Sequence, residues 1–261
     1  MKPSRPQRWI AAVATAAACA SVVAMAMAQG VPATAGAQAQ AEPAAAPVAV
    51  RYLDLRRPEP IHGDAAAGKA KSEVCAACHG VTGTATTAIF PNLAGQRAEY
   101  LYWELIEYKR GAQPESPMTP LAAGLSEQDM RDLAAYYASQ QRQPAAQDPQ
   151  ATIDPTLAEA GHRLFLHGDP DKGIPPCQGC HGPEALGYPL AAQADGADLS
   201  PYALYPALRG QQSTYLQARL NALQQGTLHD STNDMIMDGV AQRLDAQTIE
   251  SLAAWLSSLP P

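Results

Sequence analysis

Nowhere does the chain gather its basic residues into a cluster, so it lacks the electrostatic footprint on which nucleic-acid binding depends. Convincing runs of alternating apolar and polar residues are missing too, which argues against strands and for an all-α fold. Cysteine is sparse. Of five cysteines, Cys19 lies in an N-terminal leader and the other four form two close pairs. Neither half of the chain holds a second Cys-x-x-Cys pair, and beyond the leader there is no spare cysteine.

The leader, residues 1–28, reads as an export signal. Lys2, Arg5 and Arg8 make a basic start, an uncharged Ala-rich run follows from Trp9, and Ala26-Met27-Ala28 offers a small-x-small cleavage site. The apolar run is long for a signal, so an uncleaved membrane anchor is the alternative; its Ala-rich, weakly lipophilic character favours cleavage. Cys19 goes with the leader, because Ala16 stands where lipid attachment would want a larger aliphatic residue. Cleavage removes three basic residues and no acidic ones from 18 Lys and Arg against 25 Asp and Glu, leaving a net charge of −10. Such acidity suits solubility and steers encounters with basic protein surfaces.

Residues 29–50 are almost entirely Ala, Pro, Gln, Gly and Val and open an Ala/Pro-rich linker placed at 29–60. Beyond it one pattern occurs twice. Cys75-Ala-Ala-Cys78-His79 returns as Cys177-Gln-Gly-Cys180-His181. Phe90-Pro-Asn-Leu-Ala-Gly-Gln96 returns as Tyr205-Pro-Ala-Leu-Arg-Gly-Gln211, and Leu125-Ser126 as Leu244-Asp245. Order is kept while loop lengths change, the mark of a tandem duplication. At 261 residues the chain has room for two small domains, placed at 61–146 and 154–261 with a polar linker at 147–153. Each domain is expected to be helical, with first helices over 65–74 and 156–166 and middle helices over 98–110 and 214–225. The last helices begin at the caps Ser126 and Asp245. Met130, Leu133, Ala134 and Tyr137, and likewise Ile249, Leu252, Ala253 and Leu256, form the expected buried stripes.

A Cys-x-x-Cys-His sequence suits covalent haem attachment: two thiols a short turn apart add across two vinyl groups, and the adjacent His reaches the iron. A zinc site would need two further close ligands, a thioredoxin-like pair a strand before its helix, and plain disulfides would leave the repeated His unexplained. Two covalently bound haem c groups are therefore expected, on Cys75, Cys78 and His79 and on Cys177, Cys180 and His181. For the second axial position Met118 lies in an irregular segment, Glu115-Ser-Pro-Met-Thr-Pro120, and a thioether there favours the reduced iron. Met130 belongs to a core stripe. In the second unit Met235 and Met237 compete, and the repeat places Met237 opposite Met118. His62, His162, His167 and His229 have no counterpart in the other unit and read as surface or loop residues. Tyr100 and Tyr215 do recur, as core residues or as donors to a haem propionate.

These motifs, each followed by Pro-x-Leu-x-Gly-Gln and a Met before a capped helix, resemble the diheme cytochrome c4 family over about residues 61–261. The resemblance implies two tandem all-α cytochrome c domains related by pseudo-twofold symmetry. It implies that the Pro91 and Pro206 carbonyls accept from the axial histidines, which orients the rings. It also implies that Gly68 and Gly161 let the first helix cross close to the last, near Tyr136-Tyr137 and Trp255. The second unit departs in having 13 more residues between His181 and Tyr205 and four more before its Met.

With His79, Met118, His181 and Met237 filling the axial positions, an electron carrier is expected rather than an enzyme. The family implies periplasmic respiratory partners: a quinol-oxidising complex or dehydrogenase as donor and a terminal oxidase as acceptor. Membrane association follows only if the leader stays. One alternative is an electron-accepting subunit of a larger oxidoreductase; another, a diheme enzyme such as a peroxidase, would need an open or differently ligated iron. Residues 61–146 carry −2 and residues 154–261 carry −7, so Asp230, Asp234 and Asp238 are candidate docking charges.

Overall fold

Helices account for nearly all the regular structure of residues 52–144, 153–188, 201–228 and 230–261, which are those the computed structural model describes. The first half holds α1 (Ala65–Lys71), α2 (Glu73–His79), α3 (Ala98–Lys109), α4 (Met118–Ala123) and α5 (Glu127–Ser139). The second holds α6 (Pro155–His167), α7 (Gln178–His181), α8 (Ser213–Gln224), α9 (Thr232–Ala241) and α10 (Ala246–Ser258). Among the described residues β-pairing is limited to two isolated bridges, Leu53 with Ser231 and Asp169 with Ile174. The expected all-α fold is present.

Local chemistry explains where the long helices begin. Asp64, Asp154 and Asp245 each turn a carboxylate onto free backbone N–H groups of α1, α6 and α10. Ser126 and Asp129 form a reciprocal capping box at α5. Three stretches depart from expectation. The helix foreseen over 65–74 breaks at Ser72, whose hydroxyl and N–H both turn back onto the Lys69 carbonyl; this local bond competes with continuation, and α2 restarts with the cysteine motif. Met118 opens α4 instead of lying in irregular chain, and α9 forms around Met235 and Met237. Its start is held by Ser231, whose side chain accepts from the Asp234 N–H, while its polar residues hide any apolar period.

Each half closes around one helix crossing, α1 on α5 and α6 on α10. Met130 and Leu133 anchor the first core and Phe165, Leu252 and Leu256 the second. Both crossings depend on glycine. A Cβ on Gly68 would stand 2.0 Å from the Asp132 carbonyl oxygen, and one on Gly161 2.0 Å from that of Ser251. Trp255 fills the space beside the second crossing, stacked on His162 and tilted against Phe165. Lys71 ties the first crossing to Asp129 and Asp132 at 2.8 and 2.6 Å. Gly68→Ala must push two packed helices apart, and a loss of about 2 to 3 kcal/mol is expected, read by denaturant unfolding; an unchanged midpoint would mean that the crossing is not tight.

Candidate haem sites

In each half a short helix delivers the motif. Cys75, Cys78 and His79 lie on α2, while Cys180 and His181 end α7 with Cys177 just before it. Glycine follows each histidine, Gly80 at φ 77° and Gly182 at φ 74°, a left-handed backbone that ends the helix at low cost only without a side chain. The chain then loops back so that Nδ1 of His79 meets the Pro91 carbonyl at 2.9 Å, and Nδ1 of His181 meets the Pro206 carbonyl at 3.0 Å. A carbonyl can only accept, so Nδ1 carries the proton and Nε2 keeps its lone pair. Burial pushes both imidazoles below their ordinary pKa, with the proline carbonyl opposing part of the shift, so both rings are neutral donors at pH 7. The four thiols are free of disulfides, and burial holds Cys177 protonated up to about pH 11.

The methionines sit on separate elements. Met118 is half-buried at the first position of α4. Met237 packs against Leu223, Leu228 and Ala241, whereas Met235 is 58% exposed; two residues apart on a helix, their side chains leave on different faces. Met130 is wholly buried, as a core residue should be. His62 and His167 are exposed, and His229 lies outside the described residues, as do residues 189–200 of the longer second loop.

Between the halves lies a polar cluster that the sequence reading missed. Arg219 of α8 pairs with Glu104 of α3 at 2.7 Å and faces Asp234 of α9 at 3.9 Å. Glu107 is buried beside them, and burial, with Glu104 and Asp234 nearby, raises its carboxyl to about 9. Tyr100 and Tyr215 border the same cluster, so their repetition reflects this interface. On α3 alone Glu104 and Glu107 look like a solvated face; only Arg219, from the other half, marks them as interior. The docking expectation needs correction here: Asp234 and Asp238 are buried, Asp234 holding the start of α9, which leaves only Asp230 of the three within reach of a partner. Part of the expected linker also docks on α9, where the Leu53 N–H donates to Asp230 O, the Leu53 carbonyl accepts from the Thr232 N–H, and Leu55 is buried.

The donor set fits haem: paired thiols, an imidazole with a free Nε2 and a thioether in each half. Buried Arg97 Nη2 and Trp103 Nε1 have no acceptor among the described residues, and donors of this kind suit propionates. Two tandem helical units, each with a Cys-x-x-Cys-His helix whose histidine is fixed by a proline carbonyl, define a c-type cytochrome with two haem domains. The cytochrome c family model matches residues 65–141 and 158–260. Cytochrome c4 of Stutzerimonas stutzeri is 37% identical, the match spanning 76% of this chain and 90% of that one. The crystal structure of reduced cytochrome c4 from Pseudomonas stutzeri superposes with a TM-score of 0.63 at 37% identity, over 76% of this chain and 100% of the other. A thiosulfate dehydrogenase electron acceptor of Thiomonas intermedia is 33% identical over 75% of this chain and 82% of its own. The chain belongs to the diheme cytochrome c4 family: it is an electron-transfer protein that binds two haem c groups.

Proposed function

We propose that the protein is a periplasmic carrier that passes single electrons and catalyses no reaction of its own. When bound, each haem c supplies a one-electron iron couple. In the domain at 61–146, Cys75 and Cys78 hold the group and His79 and Met118 ligate its iron; in the domain at 154–261, Cys177, Cys180, His181 and Met237 do the same. The observation that carries this reading is the repetition of the whole set: a neutral imidazole locked by Pro91 or Pro206, and a half-buried thioether ahead of the last helix. With an imidazole and a thioether from the chain on each iron, no ligand position would be left for a substrate, and outer-sphere transfer would follow. The proline carbonyls would hold each imidazole in one orientation toward its iron.

A quinol-oxidising complex or a dehydrogenase is proposed as donor and a terminal oxidase as acceptor. Similarity to the electron acceptor of thiosulfate dehydrogenase favours a second reading, in which the chain serves as the electron-accepting subunit of a larger oxidoreductase; co-purification with a large partner separates the two. The test of the main reading is haem content and coordination. Two haems per chain should survive acid-acetone extraction, and the reduced native protein should not bind carbon monoxide at neutral pH. Cys177→Ala with Cys180→Ala should leave one haem, because each domain holds its own. Carbon monoxide binding by the native protein would restore the enzyme reading.

A further inference from the structure

The two halves meet through a reciprocal exchange of glutamine side chains. Gln211 Oε1 accepts from the Asn92 N–H at 2.8 Å, and its Nε2 donates to the Asn92 carbonyl at 3.0 Å. Its repeat partner Gln96 mirrors this on Ala207, accepting from the N–H and donating to the carbonyl, each at 2.8 Å. Asn92 and Ala207 are themselves repeat partners, so the exchange is isologous, as a pseudo-twofold axis requires. Both glutamines are buried, 5% and 6% exposed. Each is a long polar side chain fully enclosed at a boundary where an apolar residue would pack, its amide bonded to the N–H and the carbonyl of one residue of the other domain while its Oε1 also accepts from the next N–H of its own chain segment.

The peptides that they grip are the ones beside the axial histidines. The N–H of Asn92 and the carbonyl of Pro91 belong to one peptide group, and that carbonyl accepts from His79. Likewise the Ala207 N–H and the Pro206 carbonyl share a peptide, and that carbonyl accepts from His181. A peptide whose N–H donates is polarised, so its carbonyl becomes a stronger acceptor. A stronger acceptor at Nδ1 makes the imidazole a better donor through Nε2. Building on the ligand assignment above, we propose that Gln96 and Gln211 are crossed positioning residues: Gln211 of the second domain tunes the His79 iron of the first, and Gln96 of the first tunes the His181 iron of the second.

The exchange gives each domain a hold on the axial imidazole of its neighbour. It also explains why both glutamines recur at the same repeat position although these bonds reach no cysteine, histidine or methionine of the motif.

The experiment is a redox titration of the full-length diheme protein followed by NMR, the two couples being assigned from the shifted methyl signals of Met118 and Met237. Gln211→Met keeps the side-chain length and removes both bonds; the potential of the His79 haem should rise while that of the His181 haem stays. The expected shift is a threefold to tenfold change in the ratio of reduced to oxidised iron at fixed potential, about 28 to 59 mV. Gln96→Met should do the converse. Gln96→Asn and Gln211→Asn, shorter but still polar, serve as a second pair should the methionine variants fold poorly, with the same crossed pattern at smaller size. A shift confined to the haem of the mutated domain, an equal shift of both, a fall in place of a rise, or none overturns the proposal. Loss of haem or of the sulfur-to-iron band in the wild type would instead remove the ligand assignment on which it rests.

Discussion

Met237→Ala should lower the potential of the second haem sharply and abolish its weak sulfur-to-iron absorption in the red, while Met235→Ala leaves both unchanged. Axial ligand choice spans about 0.8 V among haem proteins, so a fall on the order of a few tenths of a volt is expected. The choice between the two methionines follows from helix geometry. Met235 is 58% exposed, whereas Met237 packs against Leu223, Leu228 and Ala241, and a step of two residues on α9 carries one thioether inward and the other out. The register is set from both ends: Ser231 holds the first turn through the Asp234 N–H, and the Arg243 N–H closes the last onto the Val240 carbonyl. Potentiometry of the two variants decides it. If Met235→Ala produces the fall, α9 turns its other face to the iron and the repeat does not set the ligand.

Arg219→Leu should cost about 3 to 5 kcal/mol at pH 7.5, because removing one partner of a buried ion pair leaves charge uncompensated. Arg219 meets Glu104 at 2.7 Å and is the guanidinium that faces Asp234. The deficit should narrow at pH 5. Burial raises the carboxyls of both Glu104 and Glu107, Glu107 to about 9. A raised carboxyl stabilises the fold fully below its ordinary value near 4.5 and loses that contribution as pH climbs through the folded value. The wild type should therefore weaken between about pH 5 and pH 9, and Glu107→Gln should flatten that slope. Without Arg219, Glu104 is raised further, so the variant falls more steeply with pH than the wild type. Denaturant unfolding at the two pH values measures this; an equal deficit at both would mean that the carboxylates are hydrated and the cluster is not interior.

How much of this was legible beforehand depends on the range of the interaction. The cysteine motifs, the repeat, the capping residues Ser126 and Asp245, and the stripes through Met130 and Ile249 could be read directly. So could the tight crossings at Gly68 and Gly161, through the family resemblance. Each is a local pattern: two thiols and an imidazole within five residues, a cap within one turn, or a 3.6-residue period with one apolar face. Where a residue's partner lies a hundred positions away, no such period exists. Glu104 and Glu107 look like a wetted face until Arg219 is opposite them, and Asp234 and Asp238 look like docking charges until α9 folds them inward. Gln96 and Gln211 were visible as repeated letters, but a repeated letter does not say what it bonds. The sequence by itself determined two helical haem domains and a candidate donor set in each. Only the tertiary structure decided how those domains grip one another, because a buried polar group is satisfied by whatever the fold brings to it and carries no mark of that partner along the chain.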